Sequence, residues 1–230
     1  MTKPINLLCP VNEPCCEVID EVITLRKEVD RLKDQVRTDS LTGLYNYRYF
    51  ITVLGQEMER TRRTAQATAL IMVDLDFFKK VNDNWGHDVG NQALLTTAQI
   101  LSKTTRQLDS CCRYGGEEFA IILPSIDLIT ALQVAERIRE NIEQTPIFVG
   151  DVDIALTASL GVALYEFDQA GITPEQLVER ADRCLYKAKE AGRNQISHEL
   201  VDMKTELSVS QQEKEALSGM FGDYRDEGIE

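Results

Sequence analysis

Two stretches decide the fold of this chain: ATALIMVDLD at Ala67–Asp76 and CCRYGGEEFAIILP at Cys111–Pro124. The first is apolar almost throughout and too short for an ordinary helix, so it reads as a strand buried on both faces. The second holds two strand-like runs split by Gly115-Gly116, the pattern of a hairpin. Working outward, helical patterns cover about Tyr47–Arg63, Val89–Arg106 and Leu128–Gln144. Val152–Tyr165 is rich in β-branched residues and predicts a strand. Pro174 opens another helix that ends near Gly192, and a short strand follows at about Asn194–His198. Helix, strand, helix, hairpin, helix, strand, helix, strand in that order predicts an α+β domain: a central mixed or antiparallel sheet flanked by helices.

Both decisive stretches carry acids where the chain leaves the sheet. Asp74 and Asp76 end the buried strand, and Glu117 and Glu118 follow the two glycines. Each pair alone is an ordinary turn-capping or solvated arrangement. If the two strands are neighbours, Asp74 and Glu117 converge, and carboxylates gathered there repel unless a hard cation joins them. Mg²⁺ accepts a few such oxygens and keeps positions open for phosphate. The glycines let a triphosphate approach the backbone closely. Together these features point to metal-assisted phosphoryl or nucleotidyl transfer.

Residues 16–37 show a different period. Val22, Val29 and Val36 fall at heptad a, and Val18, Leu25 and Leu32 at d. Valine at a with leucine at d favours a parallel two-stranded coiled coil. Glu21 and Glu28 at g face Arg26 and Lys33 at e, matching charges across such a dimer. The plainer alternative, one amphipathic helix on its own domain, usually shows a wider apolar stripe. The reading divides the chain into a cysteine-containing segment (1–15), a coiled coil (16–37), a globular domain (38–198) and an acidic tail (199–230).

Composition excludes several classes. The net charge is −13, so a nucleic-acid partner is not expected and an anionic substrate needs local cations. Only two histidines are present, too few for a histidine-rich metal site. No apolar run is long enough to span a bilayer and no secretory leader is visible, so the expected location is the cytoplasm, with no membrane partner. There the cysteines Cys9, Cys15, Cys16, Cys111, Cys112 and Cys184 are expected as thiols. The spacing of the first three fits no standard zinc pattern.

The acidic hairpin RYGGEEF at Arg113–Phe119 resembles the defining motif of the GGDEF diguanylate cyclases, in a GGEEF form. DSLTGLYNYRYF at Asp39–Phe50, VDLDFFKKVNDNWGHDVGN at Val73–Asn91 and YKAKEAGRN at Tyr186–Asn194 resemble three further motifs of that family, in the same order. The resemblance covers about residues 38–198 and implies a palm-like sheet related to nucleotidyl cyclases and polymerases. It implies condensation of two GTP into cyclic di-GMP with Mg²⁺ (or Mn²⁺), two ions per active site, in a homodimer joined by the coiled coil. Asp74, the Leu75 carbonyl, Glu117 and Glu118 match the metal site. Glu117 matches the base for the attacking 3′-hydroxyl, and Glu118 assists. Phe77, Phe78 and Lys79 match the triphosphate cradle, and Lys189 and Arg193 the phosphate-binding pair, whose i, i+4 spacing suggests one helical face.

Asn82 matches one guanine contact. Asn91 matches the other and departs from the family, where aspartate offers two acceptors to guanine; asparagine offers one acceptor and one donor. That change weakens the expected guanine preference and leaves mixed cyclic dinucleotides open. Arg106, Asp109 and Arg137 match an inhibitory product site; the plain alternative is a helix-terminal ion pair. A catalytically weak domain that only senses cyclic di-GMP or GTP is the competing functional reading.

Overall fold

The computed structural model describes residues 21–29, 37–149, 152–169 and 171–199. Residues 21–29 are helical, as the heptads require. The cysteine-containing segment, most of the coiled-coil heptads and the acidic tail beyond Glu199 lie outside the described residues.

Strand β2 (Thr68–Leu75) is buried at all eight positions because both faces of the sheet are covered. Its odd residues Ala69, Ile71, Val73 and Leu75 pack with Val81, Leu94, Leu101 and Ile138. These partners come from α2 (Phe78–Trp85), α3 (His87–Thr104) and α4 (Leu128–Glu143). Its even residues Leu70 and Met72 pack with Phe50, Leu54, Leu177 and Leu185, which belong to α1 (Tyr47–Thr64) and α5 (Pro174–Glu190). Each of these side chains larger than Ala69 contributes roughly 1.5–3 kcal/mol on full burial. Two-sided burial is why the strand reads as one apolar run rather than an alternation.

The six-stranded sheet runs β1-β3-β4-β2-β7-β8. The hairpin β3 (Ser110–Gly115) and β4 (Glu118–Pro124) lies beside β2, with β4 antiparallel to it. On its other side β2 pairs antiparallel with β7 (Ala158–Tyr165). Short parallel strands close both edges: β1 (Tyr45–Asn46) on β3 and β8 (Ile196–His198) on β7. The sheet is therefore mixed, with helices on both faces, as expected.

Helix boundaries follow from caps. Asn46 accepts the Tyr49 N–H at the start of α1. Thr173 and Gln176 form a reciprocal capping box at α5, with Pro174 in the first turn. At the other end of α5, the Arg193 N–H returns to the Ala188 carbonyl past Gly192 (φ 120°), a Schellman-type stop.

Three local expectations need correction. Helix α2 is separate from α3: Gly86 (φ 82°) breaks the pair, and α2 buries only Phe78 and Val81, too few to set a visible period. The strand expected over residues 152–165 is two pieces, β6 (Val152–Ile154) and β7, with β6 forming a two-stranded sheet with β5 (Ile147–Val149). The break falls where Thr157 turns toward Asp76, accepting its N–H at 2.8 Å. Finally, Lys189 lies on α5 but Arg193 lies beyond its end, in left-handed backbone (φ 66°), so they do not share a helical face.

Candidate active site

The register puts the acids together. Asp74 on β2 stands directly opposite Glu118 on β4, and the Leu75 N–H reaches the Glu117 carbonyl at 3.4 Å. Residues paired in this way point to the same face of a sheet, here the face covered by α5. From α5, Lys189 places its Nζ 2.7 Å from an Asp74 carboxylate oxygen. Asp182, seven residues earlier on the same helix, adds a fourth carboxyl.

Electrostatics record the crowding. Burial raises the Asp74 carboxyl above its ordinary value, Asp76 adds to the rise, and Lys189 and Arg193 oppose it. Burial also raises Glu118, with repulsion from Asp74, Asp182 and Glu117 and relief from Lys189. Asp182 is raised by burial against the pull of Lys189. Tyr114, stacked edge-on against Tyr47 and Phe50 on that face, is pushed up to about 12 by burial, by the Tyr47 phenol and by the carboxyls of Asp182 and Glu118. One ammonium thus faces several carboxyls. Such oxygens fit a hard divalent cation, with Asp74, Glu117, Glu118 and the Leu75 carbonyl as its candidate donors. With Asp74 turned onto Lys189, no three His, Cys, Asp or Glu side chains converge as a ready ligand set among the described residues.

Asp76 has a separate job. Its carboxylate accepts the Thr157 hydroxyl at 2.8 Å, the Ser159 hydroxyl at 2.7 Å and the Asn194 N–H at 3.0 Å. It pins β2, β7 and the loop after α5 together, so it is fully engaged in structure.

The glycine turn is held from below. Arg113 donates to the Gly116 carbonyl through Nε at 3.1 Å and Nη2 at 2.9 Å, and its Nη1 reaches Asp39 at 3.2 Å. Asp39 also accepts the Thr42 N–H and hydroxyl. Burial pushes the Asp39 carboxyl up, but these hydrogen bonds and the guanidinium outweigh it and hold it below the ordinary value. A depressed carboxyl adds stability above its unfolded-state pKa and loses it as pH falls through the folded value. Asp39→Asn should therefore cost about 1–2 kcal/mol near neutrality, with the gap to wild type closing at acid pH. Urea unfolding at several pH values checks this, and a pH-independent gap would refute it.

The other expected residues divide into two groups. Phe77 begins α2 in left-handed backbone (φ 56°), and α2 has no side-chain cap, leaving first-turn N–H groups for an anion. Phe78 is buried and Lys79 exposed. Asn82 lies against Gly90, where a Cβ would come within 2.0 Å of its Oδ1, and Asn91 follows Gly90 on exposed α3 surface.

At the opposite end of the sheet, Arg106 and Asp109 close a turn through N–H bonds of 2.7 and 3.0 Å. Arg137 reaches the Thr104 carbonyl at 2.9 Å. Arg106 lines a groove of about 300 Å³ with Tyr45, Thr105 and Asp109, and a second of about 440 Å³ with Ala67, Ser125 and Thr130. The arginines and Asp109 are thus gathered there.

Asp182, Arg113, Asp39 and Asn194 were not singled out as site residues. Of these, Asp182 alone was accessible to helical spacing, two turns before Lys189.

Comparison with known proteins agrees with this geometry. The family described as "Diguanylate cyclase, GGDEF domain" matches residues 36–195, and this chain belongs to it. Response regulator PleD of Caulobacter vibrioides is 38% identical over 172 residues, covering 75% of this chain and 38% of that protein. The chain therefore spans about two fifths of that relative's length. Diguanylate cyclase SiaD of Pseudomonas aeruginosa, solved with its activator SiaC, has a TM-score of 0.70 at 38% identity, covering 80% of this chain and 70% of that one. The coiled coil and GGDEF domain of DgcB from Caulobacter crescentus, solved with c-di-GMP, has a TM-score of 0.74 at 28% identity, covering 80% and 96%.

Among the described residues, no helix is long and apolar enough to cross a membrane.

Proposed function

We propose that this chain condenses two GTP molecules into cyclic di-GMP, releasing two pyrophosphates. The observation that carries the reading is the facing pair Asp74 and Glu118 at adjacent strand ends, with Lys189 2.7 Å from Asp74, inside a domain of this family. Asp74, the Leu75 carbonyl, Glu117 and Glu118 would hold a divalent cation, which would supply charge neutralisation at the triphosphate. Glu117 takes the proton from a 3′-hydroxyl, whose oxygen bonds to the α-phosphorus of the facing nucleotide as that phosphorus releases pyrophosphate. Lys189, Arg193 and the first N–H groups of α2 hold the phosphates. Asn82 and Asn91 hold the base. Positioning and charge do most of the work in such transfers.

Ring closure needs two such sites face to face. The heptads of residues 16–37 raise the local concentration of the partner, and similarity to a structure comprising a coiled coil and this domain supports that role. Gathered around Asp109, Arg106 and Arg137 offer bidentate donors suited to phosphate and to guanine edges, which supports product feedback.

One chromatographic assay tests all three parts. Purified protein given Mg²⁺ with GTP and ATP in competition should yield cyclic di-GMP alone; adenine in the product at more than trace levels would overturn guanine selectivity. Removing residues 1–37 should make specific activity fall steeply on dilution, and dilution-independent activity would refute the dimer. Added product should inhibit wild type but not Arg106→Ala; equal inhibition of both would remove the feedback site.

A further inference from the structure

Phe77 occupies backbone that a bulky residue rarely adopts. At φ 56° its left-handed conformation carries strain that glycine would avoid. The ring is not drawn there by the core, since the residue is 52% exposed. Two cations meet it instead. The Lys80 Nζ lies 4.3 Å and the Arg193 Cζ 4.7 Å from the ring centroid, both inside the range of cation–π attraction, about 6 Å.

The backbone at Arg193 is itself fixed. Its N–H bonds to the Ala188 carbonyl at 3.1 Å, and the next N–H, from Asn194, bonds to Asp76 at 3.0 Å. The Asn194 side chain is tied to α4 through Arg139 at 2.8 Å and Glu143 at 2.7 Å. The loop therefore delivers the guanidinium to the ring from a rigid base.

Lys189 has a carboxylate partner, whereas Lys80 and Arg193 form no ion pair among the described residues. Two like charges on one ring repel, and the ring faces only part of each. Their remaining N–H donors stay available to a polyanion beside the uncapped start of α2.

We propose that the Phe77 ring is a platform that holds Arg193 and Lys80 together at the triphosphate cradle. Phe77 is then a positioning residue acting through Arg193, and Lys80 is a further phosphate contact. The inference rests on the nucleotide-binding reading of this site. It differs from a purely backbone role for Phe77, because it assigns the work to the π-face.

Steady-state kinetics with GTP and Mg²⁺ on the full-length protein test it. Phe77→Leu keeps apolar bulk without the ring quadrupole, and should raise KM for GTP about three- to tenfold with kcat within about twofold. Phe77→Trp, with a stronger π-face, should keep KM near wild type. Lys80→Met should raise KM in the same range as Phe77→Leu. In an Arg193→Ala background, Phe77→Leu should add less than about twofold. If Leu and Trp behave alike at position 77, or if the Leu effect adds in full to Arg193→Ala, the platform is overturned. If Arg193→Ala raises KM while Phe77→Leu does not, the platform alone fails. If Arg193→Ala leaves KM unchanged, the nucleotide-binding reading of Arg193 fails, and the platform with it.

Discussion

Glu117→Ala should lower pyrophosphate release from GTP by about 10²–10⁴-fold, the range expected for losing a general base. The fold should not suffer. Glu117 contributes to the sheet through its carbonyl, which accepts the Leu75 N–H, and that bond survives truncation of the side chain. Its carboxylate is partly exposed and accepts no hydrogen bond and forms no ion pair among the described residues, unlike Arg113, which secures Gly116. Removing one of several crowded carboxyls also relieves repulsion on Glu118. Thermal unfolding should therefore match wild type within the range of a surface substitution, about 0.5 kcal/mol. Pyrophosphate release at the wild-type rate in a folded Glu117→Ala protein would refute the assignment of the base. The same variant separates an enzyme from a cyclic di-GMP receptor. The receptor reading predicts no change in any activity, while both predict intact product binding at Arg106, at the far end of the sheet.

Gly161→Ala is expected to have the largest effect on stability. Gly161 lies on β7 beneath α5, and an added Cβ would stand 2.2 Å from the Ala181 carbonyl oxygen, 2.2 Å from the Leu185 nitrogen and 2.8 Å from the Leu185 Cα. All three are backbone atoms, so no rotamer change relieves the overlap. Overpacking of this kind costs about 1–3 kcal/mol and more when a helix must shift. Helix α5 carries Asp182 and Lys189, and its displacement would pull Lys189 away from Asp74. The variant should melt several degrees lower and lose GTP turnover beyond what its unfolded fraction explains. A wild-type melting temperature together with wild-type turnover would show that α5 does not press on β7 this closely. Gly90→Ala makes a useful contrast, because its Cβ meets the movable end of Asn82 rather than backbone; the strain there falls on the side chain proposed to hold the base.

The contrast between these two glycines shows what could be read from the chain. The acids at 74, 117 and 118 were legible because they border apolar runs, Asp74 near the end of one and Glu117 and Glu118 at the start of the other, and two-sided burial makes β2 and β4 stand out as strands. The expectation that these strands are neighbours held, but their antiparallel register sets Asp74 opposite Glu118 rather than Glu117, which meets β2 through its carbonyl. The α2 helix was not legible, since its start depends on a left-handed phenylalanine. The expectation that Lys189 and Arg193 share a helical face failed for a similar reason: the chain stops α5 at Glu190 and turns through two left-handed residues, Arg193 and Asn194.

The sequence by itself determined the order of the main strands and helices, the two-faced sheet and the acids at its strand ends, because those follow from burial period and turn chemistry within a few residues. Tertiary structure decided which of the acids work together. Asp74 meets Lys189 and Glu118, whereas Asp76, two residues on, is consumed by Thr157, Ser159 and Asn194. Partners about eighty to one hundred and twenty positions away impose that difference, and no local pattern encodes contacts of such length.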